Sequence, residues 1–289
     1  LKVKRNLQVM ETQYYPTFNE FKELSKKGNV VPVYRQLFAD TLTPVSAFQK
    51  VSDTDYAFLL ESADGGEKIA KYSTIGSNPF AGFKCKGSNV EIFNKEGITH
   101  IETTDPFKVL EQQISKFSPV RVNGLPDFFG GAVGYTSYDS VRYVETLPDS
   151  TVDDLNLPDM YFMFYDETIV FDHLNKTIKV VCVAHIDERD IQDVYEDAVN
   201  KIDNVINKLR TPVMTLSDDI TEKGELSLKF SSNFKKSDFL QAVETCKEYI
   251  RAGDIIQAVL SQRLQTEINA KPINIYRTLR VINPSPYMF

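Results

Sequence analysis

The sequence contains no tryptophan and few of the residues that build metal or disulfide sites. Of its 289 residues, three are cysteines and three are histidines. The cysteines lie far apart and lack the paired Cys/His spacing of a zinc site or the density of a disulfide framework. We therefore expect three buried thiols, at Cys85, Cys182 and Cys246. The histidines lie in or beside β-branched stretches, which favours structural roles: His100, His173 and His185.

Long apolar runs are also missing. No stretch approaches the roughly 18 apolar residues that a membrane-spanning helix needs. The first residues show no signal-peptide pattern of charged, apolar and small residues. The hydrophobic share of 42% and charged share of 25% are typical of globular proteins. These features predict a cytoplasmic protein that does not bind membranes.

Positive charge is absent from one long segment. Residues 143–175 contain no lysine or arginine, and the whole chain has a formal net charge of −7. Such a segment repels a phosphate backbone, so nucleic-acid binding is not expected. The acidic side chains are most simply a solvated face: Glu145, Asp149, Asp153, Asp154, Asp159, Asp166, Glu167 and Asp172.

Both ends of the sequence look truncated. The first residue is Leu1 rather than methionine, and the last three are Tyr287, Met288 and Phe289. This apolar run follows a proline-containing turn, where a strand is expected to begin. We expect the natural sequence to continue beyond both ends.

Helix and strand patterns alternate without βαβ regularity, which predicts an α+β protein with large antiparallel sheets and flanking helices. Helix starts are expected at the Thr17-x-x-Glu20 capping box, Pro44, Pro106, Asp187, Asp238 and Pro272. Strands are expected at 30–35, 56–60, 69–75, 90–93, 98–101, 128–138, 161–172, 177–184, 229–232 and 254–264. The polar segment 211–226 is the best linker, so we expect domains at 1–210 and 227–289.

Four segments carry candidate functional residues, and each has a structural alternative. Gln257 interrupts the apolar strand pattern of 254–264, where an amide either satisfies a buried hydrogen bond or faces a polar cleft. Glu61 and Ser62 end a strand, where they either cap the turn or hold the amino group of a ligand. The glycine-rich run at 130–135 has the wrong spacing for a dinucleotide site and indicates close backbone packing. Residues 283–288 form a proline-stiffened segment suited to a ligand wall or to a rigid connection.

Together, in this order, these segments resemble the large (aminase) subunit family of anthranilate synthase. The matching stretches are PVYRQLFADTLTPVSAF, LLESADGGEKIAKYSTIG, FFGGAVGYTSYD, AGDIIQAVLSQR and NPSPYMF. The resemblance covers residues 18–289. It implies a two-part α+β fold with orthogonal antiparallel sheets, in which 1–210 is regulatory and 227–289 begins the catalytic domain.

The resemblance implies an enzyme that converts chorismate and ammonia to anthranilate and pyruvate with Mg²⁺. A glutamine amidotransferase subunit supplies the ammonia, and L-tryptophan inhibits from a separate site. The metal ligands and most catalytic groups are expected beyond Phe289, so we expect the fragment alone to be inactive.

Site residues follow from the same resemblance. Glu61 and Ser62 match one wall of the tryptophan site, and Pro286, Tyr287 and Met288 match the opposite wall. Gln257 stands where water-using relatives carry a lysine that acts as general base. A neutral amide cannot deprotonate water but can position ammonia, so Gln257 indicates an ammonia-using member.

Two alternatives stay open. The large subunit of aminodeoxychorismate synthase also uses ammonia, although it usually departs from the LLES and NPSPYM motifs that this chain keeps. A non-catalytic module that senses tryptophan would also keep both motifs.

Overall fold

The computed structural model describes residues 13–52, 56–62, 71–212 and 229–289. The chain forms two compact units. The first comprises Leu1–Met214 together with Pro284–Phe289, and the second comprises Thr215–Asn283. Most of the 211–226 linker and the first residues of the 69–75 strand lie outside the described residues. The division into a regulatory and a catalytic domain stays a prediction.

The first unit contains two five-stranded antiparallel sheets with flanking helices, which confirms the predicted fold class. Its helices are α1 (Phe18–Leu24), α2 (Pro44–Val51), α3 (Pro106–Ile114) and α4 (Ile191–Arg210). Its strands are β1 (Val30–Phe38), β2 (Phe58–Glu61), β3 (Tyr72–Gly76), β4 (Ala81–Lys86), β5 (Asn89–Asn94), β6 (Gly97–Glu102), β7 (Gly131–Thr136), β8 (Met160–Tyr165), β9 (Glu167–Asp172) and β10 (Thr177–His185).

Strands β4 to β8 form one sheet, and the strands that precede and follow them in the sequence form the other. Sheet one has the order β1-β10-β9-β3-β2, and sheet two has the order β6-β5-β4-β8-β7. Helix α4 packs on β10, and α2 packs against α4 and β2. None of the described helices is long and apolar enough to cross a membrane.

Local signals at two helix starts are confirmed. The Thr17 backbone N–H donates to Glu20 Oε2 at 2.8 Å, as a capping box requires. The Ser46 N–H donates to Thr43 Oγ1 at 3.2 Å, and Pro44 occupies the first turn of α2.

The expected cap of α4 is wrong by one turn. Asp190 caps the helix, because its carboxylate accepts a 2.8 Å hydrogen bond from the Gln192 N–H. Asp187 instead accepts from the Arg189 N–H at 3.0 Å within the preceding loop. Either aspartate is a good cap by residue type, and the loop geometry decides between them. The buried side chains of α4 recur at helical spacing along one face: Val194, Ala198, Ile202, Val205, Ile206 and Leu209.

The single strand expected at 161–172 is also wrong. The segment forms β8 and β9, which separate at Asp166 and belong to different sheets. Strands that turn a corner between packed sheets do so at a local bend. The nearly continuous apolar run cannot reveal the bend, because most residues of β8 and of β9 are buried.

The glycine-rich strand has the close packing that its sequence predicts. A Cβ atom added at Gly134 would lie 1.9 Å from the carbonyl oxygen of Tyr161 on the paired strand β8. That distance is far shorter than any allowed contact, so Gly134 permits β7 and β8 to approach.

The second unit holds β11 (Ser231–Ser232), α5 (Lys236–Ala252), β12 (Leu264–Gln265) and α6 (Pro272–Ile282). Helix α6 begins at Pro272 as expected. Gly253 ends α5 with φ of 82°, a left-handed conformation that glycine adopts at little cost. Asp238 lies in the first turn of α5 rather than at its N-cap, which is Lys235.

The 254–264 strand prediction is wrong for most of its length. Of residues 254–264, only Leu264 lies in a strand, β12, which pairs with β11. A strand needs a neighbour to take its backbone hydrogen bonds, whatever its side-chain pattern. Ile256, in the middle of this segment, is 96% exposed.

The apolar side chains of α6 at Ile275, Leu279 and Ile282 are likewise exposed. Nothing among the described residues covers that face. Two of the three thiols are buried as expected, Cys85 and Cys182, but Cys246 is half-buried.

Candidate functional site

The end of β2 is joined to a segment far away in the sequence. The Glu61 N–H donates to the Met288 carbonyl at 2.8 Å, and the Met288 N–H donates to the Glu61 carbonyl at 2.9 Å. β2 is the edge strand of sheet one, so Met288 extends the sheet by one residue. The structure thus brings together the two sequence segments that carried predicted tryptophan-site residues.

The five residues predicted for that site differ in exposure. Glu61 is 4% exposed and Met288 is 6% exposed, so both are buried where they pair. Ser62 is half-buried, and its N–H points to the Tyr72 carbonyl at 3.4 Å. Pro286 and Tyr287 are exposed beside Met288. No comparison tests these assignments, which stay predictions.

Gln257 lies in the second unit, in an irregular segment between α5 and β12. Its side chain is exposed. Its predicted role in positioning ammonia also stays a prediction.

Sequence reasoning missed a polar pair beside Glu61. Ser73 on β3 lies directly opposite Glu61 in the ladder, and it is 1% exposed. Its hydroxyl oxygen lies 2.7 Å from Nε2 of His173, just beyond the end of β9. Every residue of β3 after Tyr72 is buried, and Ser73 is one of them. Only the strand order places His173 next to it.

A second candidate site is a cavity of about 470 Å³ in the first unit, a volume typical of small-molecule pockets. Its walls include the rings of Phe80, Phe117 and Phe164, and its polar lining includes Asp166 and His185. Glu61, Ser62 and Met288 do not line it.

The imidazole of His185 is packed between two of these rings. Its ring centroid lies 4.9 Å from that of Phe80 and 5.6 Å from that of Phe117. Burial lowers the pKa of His185, and the nearby Asp166 carboxylate, 3.8 Å from Nε2, partly opposes that effect. Within the described part of the chain, Nε2 has no hydrogen-bond partner.

At the edge of the cavity, two acidic side chains form ion pairs with one lysine of α4. Lys201 Nζ donates to Asp166 Oδ2 at 2.8 Å and lies 3.9 Å from Glu167 Oε1. Burial raises the pKa of Glu167, and the adjacent Asp166 adds to the rise. The solvated acidic face predicted from the sequence is therefore wrong at Asp166, which is 4% exposed. The two adjacent acids Asp166 and Glu167, between two apolar strands, were the available signal.

The described residues contain no group of three or more His, Cys, Asp or Glu side chains that could hold a metal ion.

Comparison with known proteins gives consistent results. Residues 55–289 match the chorismate binding enzyme family. Anthranilate synthase component 1 of Acetivibrio thermocellus is 40% identical over 96% of this chain and 56% of its own length. The Aquifex aeolicus protein of the same name is 38% identical over 94% of this chain and 55% of its own length.

A solved structure agrees with the sequence relatives. The crystal structure of anthranilate synthase component I from Streptococcus pneumoniae matches with a TM-score of 0.64 and 29% identity. The match covers 88% of this chain and 54% of that one. The chain thus spans about half the length of the relatives that it matches.

Proposed function

Because this chain belongs to the family of chorismate-binding enzymes, we propose that it is the N-terminal part of the large subunit of an anthranilate synthase. The similarity to relatives with that name, over at least 94% of this chain, is the observation that carries the proposal. The pairing of Glu61 with Met288 supports it, because it joins two segments that the resemblance assigns to one site.

The proposed reaction of the whole protein joins chorismate and ammonia. Ammonia adds to the ring as the ring hydroxyl leaves as water, and elimination of the enolpyruvyl group releases pyruvate and leaves anthranilate. A glutamine amidotransferase is the proposed partner and source of ammonia. A requirement for Mg²⁺ and a cytoplasmic location stay predictions.

Gln257 is proposed to orient ammonia rather than to act as a base. Its amide can both donate and accept hydrogen bonds, but it cannot take a proton from water at neutral pH. Free ammonia is already a nucleophile, so an orienting group is sufficient.

The edge formed by Glu61, Ser62 and Met288 is proposed to bind L-tryptophan as an inhibitor. A carboxylate and a hydroxyl suit the amino acid moiety, and a thioether packs well against an aromatic ring. Because Glu61 is 4% exposed, a cation held by its carboxylate would be largely shielded from water.

The activity is tested on the complete protein, supplied with chorismate, ammonium and Mg²⁺. We expect anthranilate, which is followed by its fluorescence, and equimolar pyruvate. Accumulation of 4-amino-4-deoxychorismate without anthranilate would instead identify an aminodeoxychorismate synthase. Tryptophan binding with no chorismate consumption would identify a sensing module.

The inhibitor site is tested by Ser62→Arg. The larger, charged side chain should fill the site and abolish inhibition by L-tryptophan, while anthranilate formation without tryptophan is retained. Ser118→Arg, at an exposed position outside this edge, is the control and should stay inhibited. Unchanged inhibition of Ser62→Arg would remove Ser62 from the site.

A further inference from the structure

The cavity beside Asp166 is built from residues of the first unit. It has a volume of about 470 Å³ and lies where the end of β8, the start of β7 and the end of β10 meet the segment 114–131. Glu61, Ser62 and Met288 do not line it, so a ligand bound here would be distinct from the proposed inhibitor.

Two glycines where β7 begins keep part of the cavity free of side chains. A Cβ atom added at Gly130 would lie 2.9 Å from Val183 Cγ2, so a larger residue fits there only if its neighbours shift. Gly131 has φ of 121°, a conformation that other residues rarely adopt, and an added Cβ would meet no described atom within 4 Å. The carbonyl of Phe129 accepts a 2.7 Å hydrogen bond from Thr168 Oγ1. The backbone thus holds this space open before any ligand binds.

Three phenyl rings form a wall of the cavity and hold one another in place. The Phe80 ring packs edge-to-face on Phe117, with 5.9 Å between centroids and 83° between planes. Both rings also contact Phe164, at 6.2 Å and 6.4 Å between centroids. Aromatic pairs gain free energy beyond that of the area they bury. The wall therefore favours an aromatic ligand over an aliphatic one of equal size.

The polar part of the lining has one buried nitrogen that is not paired. Among the described residues, His185 Nε2 has no hydrogen-bond partner, although the atom is buried. It lies 3.8 Å from Asp166 Oδ2, which is too long for a direct hydrogen bond. Buried polar atoms almost always have a partner, so this nitrogen is a group that can bind a ligand. The nearby carboxylate favours the tautomer with the proton on Nε2, and a hydroxyl can accept that proton while it donates its own to the carboxylate.

The charges around the cavity are already paired, which favours a neutral ligand. Asp166 Oδ2 accepts a hydrogen bond from Lys201 Nζ at 2.8 Å, and Asp166 is 4% exposed. Two exposed residues of the lining, Arg121 and Asp127, pair with each other at 3.3 Å. An anionic ligand would meet the buried carboxylate, and a cationic one would compete with Lys201 for it. Burial lowers the pKa of His185, so the imidazole is neutral at pH 7.5.

We propose that this cavity binds a neutral aromatic compound that carries a hydroxyl group, as phenols and naphthols do. The ring packs against Phe80, Phe117 and Phe164. The hydroxyl accepts from His185 Nε2 and donates to the Asp166 carboxylate. This site is additional to the proposed catalytic and inhibitor sites and depends on neither of them.

The binding test uses the complete protein and 2-naphthol at pH 7.5, where this compound is neutral. The fluorescence of the naphthyl ring reports its affinity. Naphthalene, the same ring without the hydroxyl, should bind about tenfold more weakly, the usual effect of losing one buried hydrogen bond. 2-Naphthoate, an anion with the same ring, should bind more weakly than 2-naphthol because it meets the Asp166 carboxylate.

Two variants assign the binding to this cavity. His185→Phe keeps a ring but removes Nε2, and it should lower the affinity for 2-naphthol about tenfold while the affinity for naphthalene stays within about twofold. Ala132→Leu places a larger side chain in the lining and should weaken the binding of both compounds. His100→Phe makes the same exchange at an exposed position on β6 and is the matched control, so it should bind both compounds like the natural protein.

The outcomes that would overturn the proposal are distinct. Equal affinity of the natural protein for 2-naphthol and naphthalene would remove the role of the hydroxyl, and tighter binding of 2-naphthoate would contradict a neutral ligand. No binding of 2-naphthol would leave a water molecule as the partner of His185 and Asp166. Binding that neither His185→Phe nor Ala132→Leu changes would place the compound elsewhere. If His185→Phe does not fold, the three compounds and Ala132→Leu still decide between these outcomes.

Discussion

At the residue scale, the described histidines differ by their surroundings rather than by their sequence context. All three were expected to be structural. His100 is exposed on β6, His173 bonds to a buried hydroxyl, and His185 is packed between phenyl rings. Burial lowers the pKa of His185, and the consequence for stability can be worked out.

We expect His185 to make the protein less stable in mild acid. Burial lowers the pKa of His185 in the folded state, whereas the unfolded chain has an ordinary value of about 6.5. Between those two values the unfolded state binds more protons, so the free energy of unfolding falls as pH falls through that window. His185→Gln cannot titrate there, and its free energy of unfolding should fall less between pH 7.5 and 5.5.

Urea unfolding at the two pH values measures this difference. His100→Gln is the control, and it should keep the pH dependence of the natural protein. An unchanged pH dependence in His185→Gln would show that His185 does not cause the loss.

At the scale of elements, the corner at Asp166 joins the two sheets. The carboxylate of Asp166 is buried where β8 ends and β9 begins, and Lys201 of α4 reaches it. Helix α4 packs on sheet one, so this ion pair ties the helix to the point where the chain leaves sheet two. The corner is therefore stabilised by a long-range contact and not by turn residues.

Replacing Lys201 should destabilise the protein markedly. Lys201→Met leaves a buried carboxylate without its hydrogen-bond donor, which typically costs about 1–3 kcal/mol of the free energy of unfolding. Lys26→Met is the matched control, because Lys26 pairs with Glu23 on the exposed surface of the first unit, where water screens the two charges and the pair contributes little to stability.

Chemical denaturation of the natural protein, Lys201→Met and Lys26→Met measures the three free energies of unfolding. Adding Asp166→Asn to Lys201→Met should recover part of the loss, since the uncompensated charge is then removed. Equal destabilisation by the two lysine variants would contradict a special role for the corner.

At the scale of the whole molecule, the first unit combines two segments that lie far apart in the sequence. Pro284–Phe289 belong to the same compact unit as Leu1–Met214. Met288 contributes two backbone hydrogen bonds and a side chain that is 6% exposed. The edge of sheet one therefore depends on a contact of very high sequence separation.

Met288→Ala should lower the free energy of unfolding of the first unit by about 2 kcal/mol, the value for a buried methionine side chain. Phe289→Ala is the adjacent control, and it should have almost no effect because Phe289 is 90% exposed. Removing residues 284–289 should also accelerate hydrogen exchange at the Glu61 amide, since its acceptor is lost. Slow exchange at Glu61 after that deletion would contradict the pairing.

Local features could be predicted from the sequence because their causes are local. The capping box at Thr17, the proline start of α6 and the glycine end of α5 each depend on hydrogen bonds within one turn. The spacing of the buried side chains on α4 follows from helical periodicity alone. Motif order was enough to predict the family, because several short matches in sequence are specific together.

Other features depended on contacts between distant segments, and only the tertiary structure decided them. The chain changes sheets at Asp166, Met288 pairs with Glu61, and His173 reaches Ser73 across strands. The 254–264 segment shows the reverse case, since its alternating side chains do not make a strand without a partner. The side-chain pattern limits which secondary structure a segment can form. Backbone hydrogen bonds to a distant segment decide whether a strand forms.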